Sequence, residues 1–264
     1  TCTEAHARGL KVIQVVQNSG HRYDDPVKND GLVQFAVQCA AAGADVIEVG
    51  NEFNHAPFWQ APDVNVMPPQ AQANLTSRIA RAVHNAYPST IVITPGMSPE
   101  AEPLNPRTWW PQYLDADPLG HAAAKWDGVG LHPYCYPELA TTNPVQWNPL
   151  LQAPGIRTTS ESRGITTSVW LTEVGAPGFA LNAPVIRTIA LTEQRQVDCY
   201  NAYITVIKQQ EAAGIVYPVI CFHTLFDGQA ATNAVEQGFG LIRTDGTRKP
   251  VYGVVQAFAA EALP

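Results

Sequence analysis

Two glutamates in this chain each sit where an apolar, β-branched run ends. Glu52 follows Asp45–Gly50 in the stretch EVGNEFN, and Glu173 closes Ser168–Glu173 in WLTEVGAP. They lie far apart in the chain, so only the fold can bring them to one substrate. A pair of carboxyls flanking a bond is what glycosidic cleavage requires. One carboxyl protonates the departing oxygen, while the other, ionised, attacks the anomeric carbon. A separation of about 5–5.5 Å gives retention through a covalent intermediate, and a wider gap gives inversion. The same positions also suit a glutamate that caps a helix or pairs with an arginine. Residue type and placement leave both readings open.

The elements that must position these residues alternate. Strand candidates are Lys11–Gln17, Asp45–Gly50, Thr90–Pro95, Gly128–His132, Ser168–Glu173 and Val216–His223. Helical patterns fall near Gly31–Ala42, Gln70–Ala86, Arg107–Leu114, Glu193–Ala213 and Lys249–Leu263. Near-continuous apolar strands separated by helices indicate a parallel sheet covered on both faces. No strand opens into a G-x-G-x-x-G turn, and neither a P-loop nor a G-x-S-x-G elbow is present. Instead, polar residues close the strands: Asn51 and Glu52, His132, Glu173 and His223. In a β/α barrel that end of the strands carries the catalytic groups. The reading is an α/β fold of the TIM-type (β/α)8 barrel, with a single domain spanning 1–264.

Composition narrows the class. The chain has 264 residues, 45% hydrophobic, which is enough to bury a sizeable core. The formal charge is −7 with no basic run, so a nucleic-acid partner is not expected. No apolar run approaches the roughly 18 residues that a membrane-spanning helix needs, so no membrane partner is expected either. The five cysteines are scattered without a CxxC pair, which argues against a disulfide scaffold and leaves one bridge open. His132-x-x-Cys135 and Cys221-x-His223 do not make a zinc pattern, so no metal or cofactor is expected.

Four segments then resemble one family. Asn51-Glu52-Phe53-Asn54, after Glu48-Val49-Gly50, resembles the W-N-E-P-N signature that ends the fourth strand in clan A of the retaining glycoside hydrolases. Asp127–Tyr134 looks like that clan's sixth strand, ending in H-x-Y, and Trp170–Gly175 like its seventh, T-E-x-G. Gly238–Leu241 followed by Asp245–Tyr252 resembles its closing segment. The resemblance implies Glu52 as acid/base, Glu173 as nucleophile and Asn51 as hydrogen-bond partner of the sugar 2-hydroxyl. It also implies that His132 and Tyr134 stand beside the nucleophile. A core histidine with its hydrogen bonds satisfied and a packing aromatic are the bland readings of those two.

Departures are as informative as matches. Phe53 replaces the usual proline. Where the clan often ends the eighth strand with a tryptophan under the reactive sugar, this chain offers His223 or Phe226. Phe58, Trp59, Trp109, Trp110, Tyr113, Tyr136 and Trp147 fall in candidate top-face loops where sugar rings could stack, Trp59 being the substrate-binding candidate, while at least half of the set is expected to be core or loop staples. Glu48 shares strand parity with Glu52, which points to a buried inward acid with a partner. Counting back from Glu52, the first visible strand matches the clan's third. About six βα units are therefore expected where a complete barrel has eight. Three readings stay open: a fragment whose upstream segment completes the barrel, a naturally reduced barrel whose gap is covered by helix, loop or a partner chain, or a misregistered strand count.

The expectation is a retaining hydrolase of β-glycosidic bonds in a poly- or oligosaccharide, with carbohydrate as its partner. The alternative is a carbohydrate-binding or cell-wall-associated module on a degenerate barrel. Arginine outnumbers lysine, which fits a high-GC bacterial or phage source, and a secreted, cell-wall or phage-associated setting is expected.

Overall fold

A computed structural model describes residues 1–18, 25–55, 69–116, 126–180, 185–228 and 235–262. Among the described residues the α-helices are α1 (Cys2–His6), α2 (Pro26–Ala41), α3 (Pro69–Ala86), α4 (Pro106–Asp115), α5 (Pro149–Glu161), α6 (Glu193–Ala212) and α7 (Pro250–Ala262). The strands are β1 (Ile13–Val16), β2 (Val46–Val49), β3 (Ile91–Ile93), β4 (Gly128–Leu131), β5 (Ser168–Val174), β6 (Val185–Ile186), β7 (Ile189–Ala190) and β8 (Ile220–Phe222). The main sheet runs β1-β2-β3-β4-β5-β8, so the six strand candidates are all present and in chain order. Contacts divide the chain into two compact units: Thr1–His132 with Gly155–Trp170, and Pro133–Pro154 with Leu171–Pro264.

In the first unit β1 pairs in parallel with β2 from Ile13↔Val46 to Val16↔Val49, and β2 pairs with β3 from Val46↔Ile91 to Glu48↔Ile93. Ile47, Val49, Val92, Ile93, Val129 and Leu131 are buried, as strands covered on both faces require. The helices start where capping chemistry puts them. Asp25 accepts from Val27 and Lys28 N–H with Pro26 at the first helical position, and Asn105 accepts from Arg107 N–H ahead of Pro106 at the start of α4. In α4 and just beyond it, Trp109, Trp110, Tyr113 and Trp126 are buried, with Trp110 stacked on Tyr113 at 5.1 Å. The α4 aromatics are therefore core rather than sugar platforms, because the helix turns their faces inward.

In the second unit β5 pairs in parallel with β8 at Leu171↔Ile220 and Val174↔Phe222, with an irregularity between the two. Helices α6 and α7 pack on each other. The α6 residues Tyr200, Tyr203 and Ile207 are fully buried. A short antiparallel hairpin, β6–β7, turns through Arg187 and Thr188 in the left-handed region.

Candidate active site

In the first unit the acid/base candidate stands on a constrained turn. Beyond β2 the chain reverses at Gly50 (φ +77), where a side-chain carbon would lie 2.1 Å from the Phe53 ring. Glycine is thus required both by its backbone angle and by the aromatic folded beneath it. Glu52 itself takes φ 44, a left-handed conformation that side chains other than glycine seldom adopt. The turn closes with His55 N–H donating to the Glu52 carbonyl at 2.7 Å. Phe53, where proline was the family expectation, is buried, and its carbonyl accepts from Gln72 Nε2 at 2.8 Å. Asn54, wholly buried, donates to the Ser98 and Leu104 carbonyls and accepts from Ser98 N–H at 2.9 Å. These bonds clamp the turn to the loop after β3.

His132 directly follows β4, with its side chain 1% exposed. Its Nδ1 lies 3.0 Å from Glu52 Oε1, and its Nε2 lies 3.6 Å from Glu48 Oε1. Glu48 is buried on β2, as its parity implied, and the same oxygen accepts the Gly96 N–H at 2.8 Å. Gly96 makes room for the imidazole: a side-chain carbon there would sit 2.0 Å from Nε2. His55 pairs with Glu100 at the side of the turn. That hydrogen bond raises the His55 pKa against the opposing effect of burial, and the Glu100 and Glu52 charges add to it.

In the second unit the nucleophile candidate is held by a phenol. Glu173 is the penultimate residue of β5, and the Tyr134 hydroxyl donates to its Oε2 at 2.7 Å. The Tyr134 ring is fixed edge-on by Tyr136 at 5.9 Å, Phe239 at 5.7 Å and His223 at 6.4 Å. Tyr203 braces the same region from α6. Its hydroxyl accepts the Cys135 N–H at 3.0 Å and donates to the Gly175 carbonyl at 3.1 Å, tying the neighbour of Tyr134 to a residue just beyond Glu173. Burial pushes the Tyr203 hydroxyl pKa well up, so it works as a neutral bridge.

Phe239 is held from behind. Gln196 Nε2 donates to the carbonyls of Ala176, Phe239 and Gly240 at 2.9, 3.2 and 3.2 Å. The buried Lys249 ammonium bonds the Gly238 carbonyl at 2.9 Å and Asp227 Oδ1 at 2.6 Å. Burial lowers the Lys249 pKa, and the Asp227 carboxylate opposes that shift.

Within their own units, then, Glu52 meets His132, and Glu173 meets Tyr134 with His223 behind. Asn51 directly precedes Glu52 and is half-buried. Within its own unit His132 lies against Glu48 and Glu52. The aromatic packed on Tyr134 and His223 is Phe239, whereas Phe226 is 55% exposed. Trp59 and Phe58 lie outside the described residues. Sequence reasoning did not single out Phe239, Gln196 or Tyr203 as supports. The closing segment that contains Phe239 and Lys249 was the available signal.

The fold can be compared with solved structures. A family 39 glycoside hydrolase from the gut symbiont Bacteroides cellulosilyticus WH2 superposes with TM-score 0.68 at 17% identity. The match covers 98% of this chain and 52% of that one. The chain shares its fold with this glycoside hydrolase. A glucosidase from Croceicoccus marinus gives TM-score 0.68 at 15% identity, covering 98% of this chain and 52% of its own. A GH5_18 protein from Streptomyces cattleya, solved with GlcNAc, gives 0.64 at 18%, covering 98% and 65%. This chain thus spans about half the length of the first two hydrolases, and its six-strand sheet is that of an incomplete TIM-type barrel. No family model and no curated protein matches the sequence.

Proposed function

We propose that this chain is a retaining hydrolase of β-glycosidic bonds in a poly- or oligosaccharide. The observation that carries the reading is the 2.7 Å hydrogen bond from the Tyr134 hydroxyl to Glu173. A strand-end carboxylate that accepts a neutral donor is held in one orientation, and a nucleophile needs that orientation. The left-handed turn that presents Glu52 beside His132 supports an acid/base role for the other carboxyl. The fold shared with glycoside hydrolases agrees with both assignments.

In this reading Glu52 gives its proton to the departing glycosidic oxygen as Glu173 attacks the anomeric carbon. The carbon–oxygen bond breaks, and a glycosyl ester forms on Glu173. Glu52, now a carboxylate, takes a proton from water, which attacks the same carbon and releases the sugar with its configuration retained. Asn51 donates to the sugar 2-hydroxyl, a bond that strengthens as positive charge develops on the ring. His223 and Phe226 are the candidates for the floor under the reacting sugar, and Trp59 for a stacking surface. No cofactor enters the scheme.

Glu173→Ala and Glu52→Gln should each abolish hydrolysis of an activated β-glycoside while leaving the circular dichroism spectrum unchanged. Full activity in either variant discards the assignment. Tight sugar binding by the wild-type chain without turnover across a glycan panel would favour a carbohydrate-binding module instead.

A further inference from the structure

Two of the five cysteines meet at one atom in the second unit. Cys135 directly follows Tyr134, Cys199 lies on α6, and they are 6% and 1% exposed. Both sulfurs contact the Glu138 carbonyl oxygen, Cys135 Sγ at 3.8 Å and Cys199 Sγ at 3.7 Å. Cys199 Sγ is also 3.9 Å from the Pro137 carbonyl. The segment that carries these acceptors is held against α6 on both sides. Arg195, one turn before Cys199, donates from Nε to the Pro137 carbonyl at 2.8 Å. Tyr203, one turn after it, accepts the Cys135 N–H at 3.0 Å. Arg195, Cys199 and Tyr203 follow one another at four-residue spacing, so a single face of α6 clasps the chain from Cys135 to Glu138. The thiol contacts are the weak members of that clasp, because S–H is a poor donor.

Burial pushes the Cys135 thiol up to about 12, against the Tyr203 hydrogen bond and the Arg195 charge, and Cys199 up to about 11, against Arg195. At neutral pH both are thiols rather than thiolates, and the folded chain shields them from oxidants. Any pairing between them therefore belongs to folding, while both are still exposed.

We propose that Cys135 and Cys199 form a disulfide when the chain folds in an oxidising setting, stitching the segment after β4 to α6. The thiolate of one cysteine attacks a sulfur of a disulfide donor such as oxidised glutathione, and one donor thiolate leaves. The thiolate of the second cysteine then displaces the other donor thiolate from the mixed disulfide. One S–S bond forms in the chain and one breaks in the donor, which takes up the two electrons and the two thiol protons. The closed loop runs from Tyr136 to Asp198 and contains α5, β5 and the β6–β7 hairpin. Closing so long a loop removes much of the freedom of the unfolded chain. The bond also fixes the neighbour of Tyr134, whose hydroxyl holds Glu173. The inference stands apart from the proposed hydrolase reading.

The test is peptide mapping without reductant. The full chain is prepared folded in two ways, by export to the bacterial periplasm and by refolding in a mixture of reduced and oxidised glutathione. Each preparation is alkylated and digested with trypsin. The five cysteines fall in five different tryptic peptides, so mass alone identifies each partner. The expected species joins Trp126–Arg157 to Gln196–Lys208, two hydrogens lighter than the separate peptides together. Alkylated Cys135 and Cys199 in the folded protein from both preparations overturns the proposal. So does a dominant link from either residue to Cys2, Cys39 or Cys221.

Melting curves supply the second arm. The linked wild type should melt roughly 5–15 °C above the same chain folded in dithiothreitol. Cys199→Ala, or Cys135→Ala if the first does not fold, should melt at one temperature with and without reductant. A linked wild type that melts no higher than its reduced form overturns the stitching role. A reductant shift that survives in the alanine variant overturns the assignment of the pair.

Discussion

The Tyr134 hydroxyl is 2.7 Å from Glu173 Oε2, and its ring is wedged by Phe239, whose centroid is 5.7 Å away. The phenol is thus aimed by packing rather than by its own flexibility. Hydrogen bonds to a charged acceptor contribute about 1.5–3 kcal/mol. Tyr134→Phe keeps the packing and removes the donor. It should lower kcat/KM on a β-glycoside roughly ten- to hundredfold, with a fall in thermal midpoint of only a few degrees. Steady-state kinetics beside a melting curve checks this.

The turn that carries Glu52 depends on Asn54, which makes bonds to the backbone of Ser98 and Leu104 from a fully buried position. Asn54→Ala strands those groups away from water. The expected cost is about 2–3 kcal/mol, a fall of roughly 5–10 °C in thermal midpoint for a chain of this size. Because the same bonds fix the turn, activity should fall by more than the unfolded fraction explains.

Lys249 and Asp227 form an ion pair in which neither side chain is more than 2% exposed. Removing one partner leaves the other charge buried and unpaired, which costs about 3–5 kcal/mol. Lys249→Met should therefore be severely destabilised. Lys249→Met with Asp227→Leu should recover much of the loss, as chemical denaturation of the single and double variants will reveal.

Asp45 gives a pH signature. Partial burial works to raise its pKa, but the Lys11 ammonium, the Val12 N–H and the His6 ring outweigh it and hold the carboxyl well below the usual carboxylate range. A depressed folded-state pKa stabilises above the unfolded value and loses that contribution as pH falls through the folded one. Asp45→Asn should therefore melt below the wild type at neutral pH. The gap should close as the solution is taken from about pH 4 towards pH 2.

Much of the sheet was legible because its strands are short β-branched runs with polar residues at their ends. All six candidates are strands, each within a few residues of its expected bounds. Helix α5 was not legible. Pro149, Pro154 and Gly155 read as punctuation, yet Leu150, Ala153 and Ile156 bury an apolar stripe that outweighs them. The β6–β7 hairpin was hidden as well, since Arg187 and Thr188 take the left-handed angles that asparagine and glycine normally advertise. At the candidate site, the strand-end positions of Glu52 and Glu173 and the burial of Glu48 could be read from strand ends and parity. Phe239 could not, because its contact with Tyr134 is a tertiary encounter between distant segments. Nor could the Phe53 ring under Gly50, since a resemblance that expects proline says nothing of an aromatic there.

The central claim is that Glu173 becomes covalently glycosylated during turnover. Its most direct test is mass spectrometry of the protein after incubation with 2-deoxy-2-fluoro β-glycosides of each sugar that the wild type hydrolyses. The account predicts one added glycosyl mass, mapped to the peptide containing Glu173 and absent from Glu173→Ala. A label on another residue, or no label with any sugar that is turned over, would contradict it.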